Sequence, residues 1–421
     1  MTGGADASGP DRVLPGPAAV VLAGGESRRF GSDKLSALLA GETLLDHVVA
    51  GLPADWAVIV VGPERSVGRA VRFVREDPPG GGPTAALVSG LRAAQEAGAD
   101  QIMVLPGDAP AAGPAAVRMY QVLQQSPSVE AIVGVDATGF EQPLQLALRR
   151  PAASALVAFA GESGGHNGRA RTLVNRLEPP ALRVTLSAED HFDIDTPDQL
   201  ATWAARDSSA VQQILTAVDA LDISGRPVVV ALDGRSGAGK TTLAAGLSLV
   251  RPATVVEGDD FYGGRQIAAL DFFARERLPD AEVADLVIDW RRLRREALEP
   301  LSGGHAARFA RYDWDSDDGR MGAEVELVAA DLVVVEGVYS ARPELSDLVD
   351  LAVCVEVDPS VRQRRLSLRA DDDDPHLVSF WERGESFYFA EVRPVESFDL
   401  VVGSTEEIAL DRALTPPAGQ P

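Results

Sequence analysis

Short, continuous apolar runs that end in Gly, Asp or Pro are the feature that most constrains the fold. Each is followed by a helical pattern, and they cover residues 18–23, 57–61, 102–105, 131–135, 228–232 and 332–335. Such runs are typical of strands covered on both faces, and their alternation with helices indicates βαβ units around parallel sheets. Because ligands of these sheets bind beyond the carboxyl ends of the strands, the residues after each run are the candidate site residues.

Two glycine-rich stretches follow two separate strands, so we predict two α/β domains in the 421 residues. Both are expected to be Rossmann-like three-layer α/β/α domains. The predicted boundaries are a disordered N-terminus at 1–17, a first domain at 18–205, a linker and leading helix at 206–224, a second domain at 225–405 and a tail at 406–421.

Charge and composition exclude several classes of partner. The formal net charge of -24 would repel phosphates over most of the surface, which predicts no nucleic-acid partner and no anionic membrane surface. The single cysteine, Cys354, forms no intrachain disulfide and fits a reducing compartment. We find no signal peptide and no apolar run near the roughly 20 residues that span a bilayer, so a cytoplasmic location is expected. The composition leaves the oligomeric state open.

The first candidate site follows the run at 18–23. Glycines let backbone N–H groups approach phosphate oxygens, and Arg28, Arg29 and Lys34 add positive charge. Alone, this stretch is equally consistent with a simple tight turn. Acidic residues follow later in the chain, with Asp77 in a Gly/Pro-rich loop, Asp108 just beyond a predicted strand, and two more acids in the segment 193–197.

Together these pieces resemble the molybdenum cofactor guanylyltransferase family of nucleotidyltransferases over about residues 18–205. The matching stretches are 22–34, the Asp77 loop, 107–110, 142–143 and 193–197. The resemblance implies a nucleotidyltransferase fold in which a substrate phosphate attacks the α-phosphorus of a nucleoside triphosphate, with Mg²⁺ present. It implies catalytic roles for Lys34 and Asp108, with Asp108 also binding the metal. The implied nucleotide-binding residues are Leu22, Ala23, Gly24, Gly25, Arg28, Lys34 and Asp77.

Other residues leave the acceptor of the first site open. By the same resemblance, Asp195 adds a metal contact or faces the acceptor, but it also stands where a helix N-cap is expected. Asp193 and Asp195 replace residues that are often Asn in the guanylyltransferases, and Thr84 begins a departure from the usual Leu-Ala-Gly. GTP with a phosphorylated pterin-type acceptor such as molybdopterin is the first hypothesis. A cytidylyl or sugar-phosphate transferase is the alternative.

The second candidate site is a P-loop after the run at 228–232. The residues from Gly234 to Thr241 fit G-x-x-x-x-G-K-[ST] and open a helix, which is the context this motif requires. Backbone N–H groups would cradle the phosphates, Lys240 would reach the β- and γ-phosphates, and Thr241 would ligate Mg²⁺. The predicted nucleotide-binding residues are Gly234, Ser236, Gly237, Ala238, Gly239, Lys240, Thr241 and Thr242.

Three motifs downstream of the P-loop resemble the uridine kinase family and its phosphoribulokinase-like relatives. They are Asp-Asp-Phe-Tyr at 259–262, Tyr-Asp-Trp-Asp at 312–315 and Val-Glu-Gly-Val-Tyr at 335–339, within a resemblance that covers about 225–403. The resemblance implies a kinase fold that uses ATP, with Asp259 as the base. It also implies Tyr262, Asp289 and Tyr312 in the acceptor pocket, Glu336 near Mg²⁺, and Arg365 and Arg369 as lid arginines.

Several features of the second half have more than one interpretation. The lid arginines lie four residues apart and could instead form a solvated face paired with the acids at 371–374. Core packing is predicted for Trp290 and Trp314. The acceptor could be nucleoside-like, pantothenate-like or another small hydroxyl compound. Alternatively, the P-loop domain is a regulatory nucleotide-binding module.

Overall fold

The structure, a computed structural model, describes residues 16–25, 27, 29–39, 41–76, 79–314, 320–369 and 375–403. Arg28, Asp77 and the side chain of Arg369 lie outside the described residues, as do most of the predicted N-terminal segment and tail. The described chain divides into two compact units between Leu200 and Ala201. Each unit contains its own sheet, which confirms the prediction of two α/β domains.

The first unit is built on a mixed, seven-stranded sheet. Its strands, with a small separate hairpin of β2 and β3, are β1 (Ala18–Leu22), β2 (Leu38–Leu39), β3 (Glu42–Thr43), β4 (Ala57–Val61), β5 (Arg72–Val74), β6 (Gln101–Pro106), β7 (Ala131–Val135), β8 (Glu141–Arg149) and β9 (Leu182–Thr185). The order in the sheet is β5-β4-β1-β6-β8-β7-β9, and β8 runs antiparallel to both of its neighbours. The predicted apolar runs therefore form central strands.

Helices cover this sheet. They are α1 (Leu44–Ala50), α2 (Pro83–Glu96), α3 (Ala112–Gln125), α4 (Arg150–Ala160) and α5 (Ala170–Val174), with 3-10 turns at Lys34–Ser36, Gly161–Ser163 and Glu189–His191. The next helix, α6 (Pro197–Arg206), contains the division between the two units. Ala18 and Val20 of β1 pack into one apolar cluster with α2, α4 and α5. Ala19 and Val21 point to the other face and are equally buried. Because both faces of β1 are buried, its sequence is a continuous apolar run.

The second unit is built on a five-stranded, fully parallel sheet in the order β11-β14-β10-β15-β16. Its strands, with a separate antiparallel pair of β12 and β13, are β10 (Val228–Asp233), β11 (Ala253–Glu257), β12 (Ala307–Tyr312), β13 (Met321–Leu327), β14 (Leu332–Glu336), β15 (Leu351–Glu356) and β16 (Leu400–Gly403). Alternate residues of β10 belong to two different apolar clusters, one on each face of the sheet.

Helices lie against both faces of this second sheet. They are α7 (Ser209–Asp219), α8 (Lys240–Val250), α9 (Gly264–Ala268), α10 (Phe272–Arg277), α11 (Asp280–Leu286), α12 (Trp290–Leu293), α13 (Glu299–Ser302), α14 (Pro359–Arg369) and α15 (Pro375–Phe387). Single turns of 3-10 helix lie at Gly258–Phe261, Pro343–Leu345 and Val395–Ser397, and π turns at Arg294–Leu298 and Tyr388–Val392. Among the described residues, no helix is long and apolar enough to cross a bilayer.

Strand register places the candidate sites. Leu22 at the end of β1 is level with Val61 of β4 and Pro106 of β6. In the second sheet, Glu336 at the end of β14 is level with Leu232 of β10 and Glu257 of β11. The loops that follow these strands therefore leave each sheet at one edge, where chemical groups from distant parts of the sequence can meet.

Close packing of α2 on the first sheet depends on Gly90. A Cβ at this position would lie 2.2 Å from Val20 Cγ1 and 2.9 Å from Val61 Cγ2. We expect Gly90→Ala to lower the free energy of unfolding by about 1–3 kcal/mol, because an overpacked interface must shift rigid strand side chains. Urea denaturation measures this effect. Ser89→Ala, at the half-buried neighbouring residue, is the control, and equal stability of the two variants would contradict the packing argument.

Candidate functional sites

Lys34 is the centre of the first site. Its ammonium lies 2.6 Å from Asp108 Oδ2 and 2.5 Å from Asp195 Oδ1. Asp108 follows β6, while Asp195 precedes α6, so the fold brings together three residues that are far apart in the sequence. The backbone N–H of Ile194 donates to the carbonyl of Asp108 at 2.9 Å and ties the two acidic loops together.

The acids outnumber the bases around Lys34. Burial, together with the neighbouring carboxylates of Asp108 and Asp195, raises the pKa of Asp193 to about 7. Burial alone would lower the pKa of Lys34, but ion pairing with Asp108 and Asp195 outweighs it and raises that pKa. Arg29 adds a more distant contact, 3.5 Å from Asp195 Oδ2. This excess of negative charge favours the binding of a cation.

Close backbone contacts shape the turn after β1. The N–H of Ala23 donates to Val61 O, and the N–H of Gly107 donates to Leu22 O, both at 2.8 Å. A Cβ at Gly62 would lie only 2.4 Å from Ala23 O, so this approach requires a glycine, and the φ of +157° is also one that glycine adopts readily. Leu22, Ala23, Gly24 and Gly25 are thus presented at the sheet edge next to Asp108.

The donor set of the first site fits a magnesium ion. Mg²⁺ in nucleotide enzymes is held by one or two carboxylates together with substrate phosphates. Asp108 and Asp195 would supply such carboxylates, with Lys34 as their present counter-ion. No group of three or more His, Cys, Asp or Glu side chains in the described part of the chain has metal-binding geometry.

The P-loop connects β10 to α8 as the motif predicts. Gly237 and Gly239 adopt φ values of +79° and +95°, which L side chains rarely adopt. Lys240 is buried, and its ammonium donates to the carbonyls of Gly234 at 2.9 Å and Arg235 at 3.2 Å. The Thr241 hydroxyl donates to Glu336 Oε1 at 3.0 Å. The lysine, the hydroxyl and a carboxylate therefore meet at one strand edge.

A cavity of about 520 Å³ runs from the P-loop to an acidic and aromatic wall. Its lining includes Lys240, Thr241, Asp259, Tyr262 and Glu336. Burial raises the pKa of Glu336 to about 7, against the lowering effect of Lys240. The hydroxyl of Thr241 and the carboxylate of Glu336 are ligand types that Mg²⁺ accepts beside nucleotide phosphates.

Rings of Tyr262, Trp314 and Trp381 line this cavity, whereas Tyr312, which was predicted for the acceptor pocket, is not among the lining residues and packs against Tyr262. The ring centroid of Tyr262 lies 4.9 Å from those of Tyr312 and Trp314 and 5.9 Å from that of Trp381. Trp381 Nε1 donates to the Tyr262 hydroxyl at 3.0 Å. The core packing predicted for Trp314 is wrong: its exposure is 54%, because it lies past the end of β12, where its ring lines the cavity and packs on Tyr262, Tyr312 and Trp381. Trp290, by contrast, is half-buried against the core.

Two further residues predicted for the second site, Asp289 and Arg365, lie at different distances from the cavity and the P-loop. Asp289 is the N-cap of α12, where its carboxylate accepts from the N–H of Arg292 at 3.0 Å, and it is not among the cavity-lining residues. Arg365 on α14 donates to Gly237 O at 3.1 Å and so contacts the P-loop. Glu385, which the sequence did not single out, accepts from the N–H of Ser236 at 2.8 Å.

Asp233 is the residue directly before the P-loop, and the sequence patterns did not single it out either. It is fully buried at the end of β10 and accepts from the N–H groups of Gly234, Tyr339 and Ala341 and from the Tyr388 hydroxyl. Burial raises its pKa, although these hydrogen bonds act in the opposite direction. The sequence did contain one signal for Asp233, since it is an acidic residue directly after the apolar run at 228–232. Its partners come from distant segments that only the fold brings together.

Residues 19–180 match the model of the MobA-like NTP transferase domain. Over 98 residues the chain is 46% identical to the probable molybdenum cofactor guanylyltransferase of Opitutus terrae and 37% identical to the molybdenum cofactor guanylyltransferase of Acidiphilium cryptum. These matches cover 22% of this chain and 48% and 50% of the relatives, so the chain spans about half the length of each. The first unit thus contains a MobA-like nucleotidyltransferase domain.

Two solved structures are each similar to part of the chain. One is a possible uridine kinase from Bacillus stearothermophilus, at 22% identity and a TM-score of 0.36, covering 46% of this chain and 96% of that one. The other is molybdopterin-guanine dinucleotide biosynthesis protein A from Archaeoglobus fulgidus, at 20% identity and a TM-score of 0.35, covering 44% of this chain and 94% of that one.

We expect Asp233→Asn to destabilise the second unit by about 1–3 kcal/mol. The new amide NH₂ would face N–H or O–H groups that now donate to a carboxylate oxygen, leaving buried donors unpaired. Urea denaturation measures the effect. Asp347→Asn is the matched control, because the side chain of Asp347 is 62% exposed and surface ion pairs contribute about 0–1 kcal/mol. Equal stability of the two variants would contradict the role given to Asp233.

Proposed function

We propose that the first unit transfers a nucleotidyl group from GTP, or from another nucleoside triphosphate, to a phosphorylated small-molecule acceptor and releases pyrophosphate. The observation that carries this proposal is the Lys34 ammonium held between Asp108 and Asp195 at the carboxyl ends of the strands. It lies in a unit whose residues 19–180 match a nucleotidyltransferase family model.

Each residue of the first site would have a separate role in such a reaction. The backbone around Ala23 and Gly24 would bind the base and ribose, because it is presented without side-chain bulk at the sheet edge. Lys34 would exchange its carboxylate partners for phosphate oxygens and neutralise charge on the transferring group. Asp108 would hold Mg²⁺, with Asp195 beside it. When bound, the ion would supply positive charge that offsets the charge of the phosphates.

Molybdopterin with GTP is the acceptor and donor pair that we propose first for this unit. The relatives with sequence similarity to it carry the name molybdenum cofactor guanylyltransferase. By the family resemblance, Asp193 and Asp195 would face the acceptor. A cytidylyl or sugar-phosphate reaction is the second candidate, and a comparison of GTP with CTP as donor separates the two.

We expect Asp108→Asn to reduce pyrophosphate release by at least about 100-fold. The variant lacks a carboxylate ligand of Mg²⁺, so less positive charge is held beside the transferring group. The measurement is pyrophosphate release from GTP with molybdopterin. ATP-dependent phosphorylation at the second site should stay unchanged in the same variant. Asp100→Asn is the control, since the 88% exposed side chain of Asp100 lies at the opposite end of β6. If Asp108→Asn silenced both reactions in a folded protein, the two-site proposal would be wrong.

For the second unit we propose ATP-dependent phosphorylation of a small hydroxyl compound, with a nucleoside-like acceptor as the first choice. The supporting observation is a single cavity that joins Lys240 and Thr241 of the P-loop to Asp259 and a wall of aromatic rings. The P-loop would hold the ATP phosphates, and flat rings could stack on Tyr262 or Trp314.

Asp259 would orient the acceptor hydroxyl and take its proton as the oxygen attacks the γ-phosphorus, while the bond from that phosphorus to the bridging oxygen breaks and ADP leaves. Lys240 would leave the carbonyls of Gly234 and Arg235 and bind the β- and γ-phosphates. Thr241 and Glu336 would hold Mg²⁺, which supplies charge neutralisation when bound. Arg365, already in contact with Gly237, would cover the phosphates from α14.

A regulatory nucleotide-binding module is the alternative for the second unit. A module that senses nucleotide has no use for a carboxylate and an aromatic wall beyond the phosphate loop, which favours the kinase. ATP hydrolysis and transfer with and without uridine, cytidine or pantothenate separate the two proposals. Turnover that none of these acceptors stimulates would favour the module.

We expect Asp259→Asn to lower acceptor-dependent ATP turnover by about 10²–10⁴-fold, because the hydroxyl loses its proton acceptor. The affinity for ATP should change little, since the P-loop is intact, and so should pyrophosphate release at the first site. Kinetics with the best acceptor among the nucleosides measures this outcome. Asp222→Asn, at an exposed aspartate, is the control. Wild-type acceptor-dependent ATP turnover in Asp259→Asn would show that Asp259 is not the proton acceptor.

A further inference from the structure

We propose that Arg65 is a positioning residue of the first site. Its guanidinium joins the two ends of the glycine-rich loop and thereby fixes the distance between the nucleotide-binding backbone and Lys34. This inference rests on the nucleotidyl transfer proposed above, and nothing in the sequence patterns pointed to Arg65.

The contacts of Arg65 reach both ends of the loop. At the start, Nη1 donates to Ala23 O at 3.1 Å, and it also donates to Pro63 O at 3.3 Å. At the end, Nε and Nη2 donate to the two carboxylate oxygens of Asp33 at 2.7 and 3.0 Å. The Arg65 side chain is only 10% exposed, whereas the Asp33 side chain is 43% exposed, so the bonds to the backbone carbonyls are the more buried ones and those to Asp33 are charge-assisted bonds near the surface.

The contact with Ala23 O fixes the direction of the next N–H group. The C=O and N–H of a trans peptide point in opposite directions. Because Ala23 O points to Arg65, the N–H of Gly24 points away from Arg65. Rotation of this peptide would therefore break the bond from Arg65 and redirect the group offered to the nucleotide.

The contact with Asp33 fixes the position of Lys34. Asp33 caps the 3-10 turn that begins at Lys34, by accepting from the N–H of Leu35 at 3.3 Å and from the hydroxyl of Ser36 at 2.9 Å. Burial alone would raise the pKa of Asp33, but hydrogen bonds from Arg65 and Ser36 outweigh it and lower that pKa. An ionised carboxylate thus connects Arg65 to the residue before the phosphate-binding lysine.

An arginine is required for this role. A planar guanidinium can bind both oxygens of a carboxylate and still donate to backbone carbonyls, whereas an ammonium is a point charge without that fork. The sequence between Ala23 and Asp33 contains Gly24, Gly25 and Gly31, and glycine restricts its backbone dihedral angles less than other residues do. The bonds from Arg65 to Ala23 and Asp33 restrain the two ends of this stretch.

The test compares Arg65→Ala and Arg65→Lys with the full-length wild-type chain. We expect Arg65→Ala to lower kcat/KM for GTP by at least about tenfold, with weaker GTP binding and a lower kcat, because small misplacements of reacting groups are costly. Arg65→Lys should recover only part of the loss. Pyrophosphate release and equilibrium GTP titration are the two measurements, and thermal unfolding checks that each variant is folded.

Arg69→Ala is the matched control. Arg69 lies in the same loop as Arg65, and its guanidinium also ties backbone carbonyls together, namely those of Val49, Leu52, Pro53, Ala54 and Trp56. None of these belongs to the glycine-rich loop. We expect Arg69→Ala to lower the unfolding temperature but to leave kcat and GTP affinity within about twofold of wild type.

A double-mutant cycle with Asp33→Asn separates positioning from general destabilisation. If Arg65 acts through Asp33, the losses in kcat/KM from the two single changes will be strongly non-additive. Additive losses, or wild-type kinetics and GTP affinity in Arg65→Ala, would overturn the inference. Absence of pyrophosphate release by the wild type with every donor and acceptor would instead contradict the proposed function, and the GTP titrations would still test Arg65.

Discussion

A buried lysine ammonium underlies each of the two sites. The side chain of Lys34 is 12% exposed, and Lys240 is 8% exposed as a residue. A charge removed from water is tolerated only where oxygen atoms surround it. Two carboxylates supply these oxygens to Lys34, and two carbonyls of the P-loop supply them to Lys240. Phosphate oxygens can replace these partners, so the same arrangement that makes burial possible prepares each ammonium for a nucleotide.

The sequence predicted much of the fold because central strands of such sheets must be apolar on both faces. The runs at 18–23 and 228–232 became β1 and β10, and Lys34 and Asp108, which follow two different runs, lie in contact in the structure. The P-loop was equally predictable, since glycines at Gly237 and Gly239 meet a backbone requirement that is local in the chain.

Residues whose role depends on distant partners could not be predicted in this way. Arg65 acts on Ala23 and Asp33 only after β4 has paired with β1. The pKa of Asp193 reflects burial and neighbouring carboxylates, neither of which a sequence displays. Trp314 looked like a core residue because tryptophan usually is one, and only the course of the chain beyond β12 leaves its ring at the cavity.

The proposed function requires two separate nucleotide sites on one chain. Equilibrium dialysis of the full-length protein with GTP and ATP, each at saturation with Mg²⁺, counts the bound nucleotides directly. We predict two nucleotides per wild-type chain and one in Lys240→Ala, with GTP retained because Lys34 and its carboxylates are unchanged. A wild-type chain that binds a single nucleotide at saturation, or a Lys240→Ala chain that binds none while folded, would contradict the account.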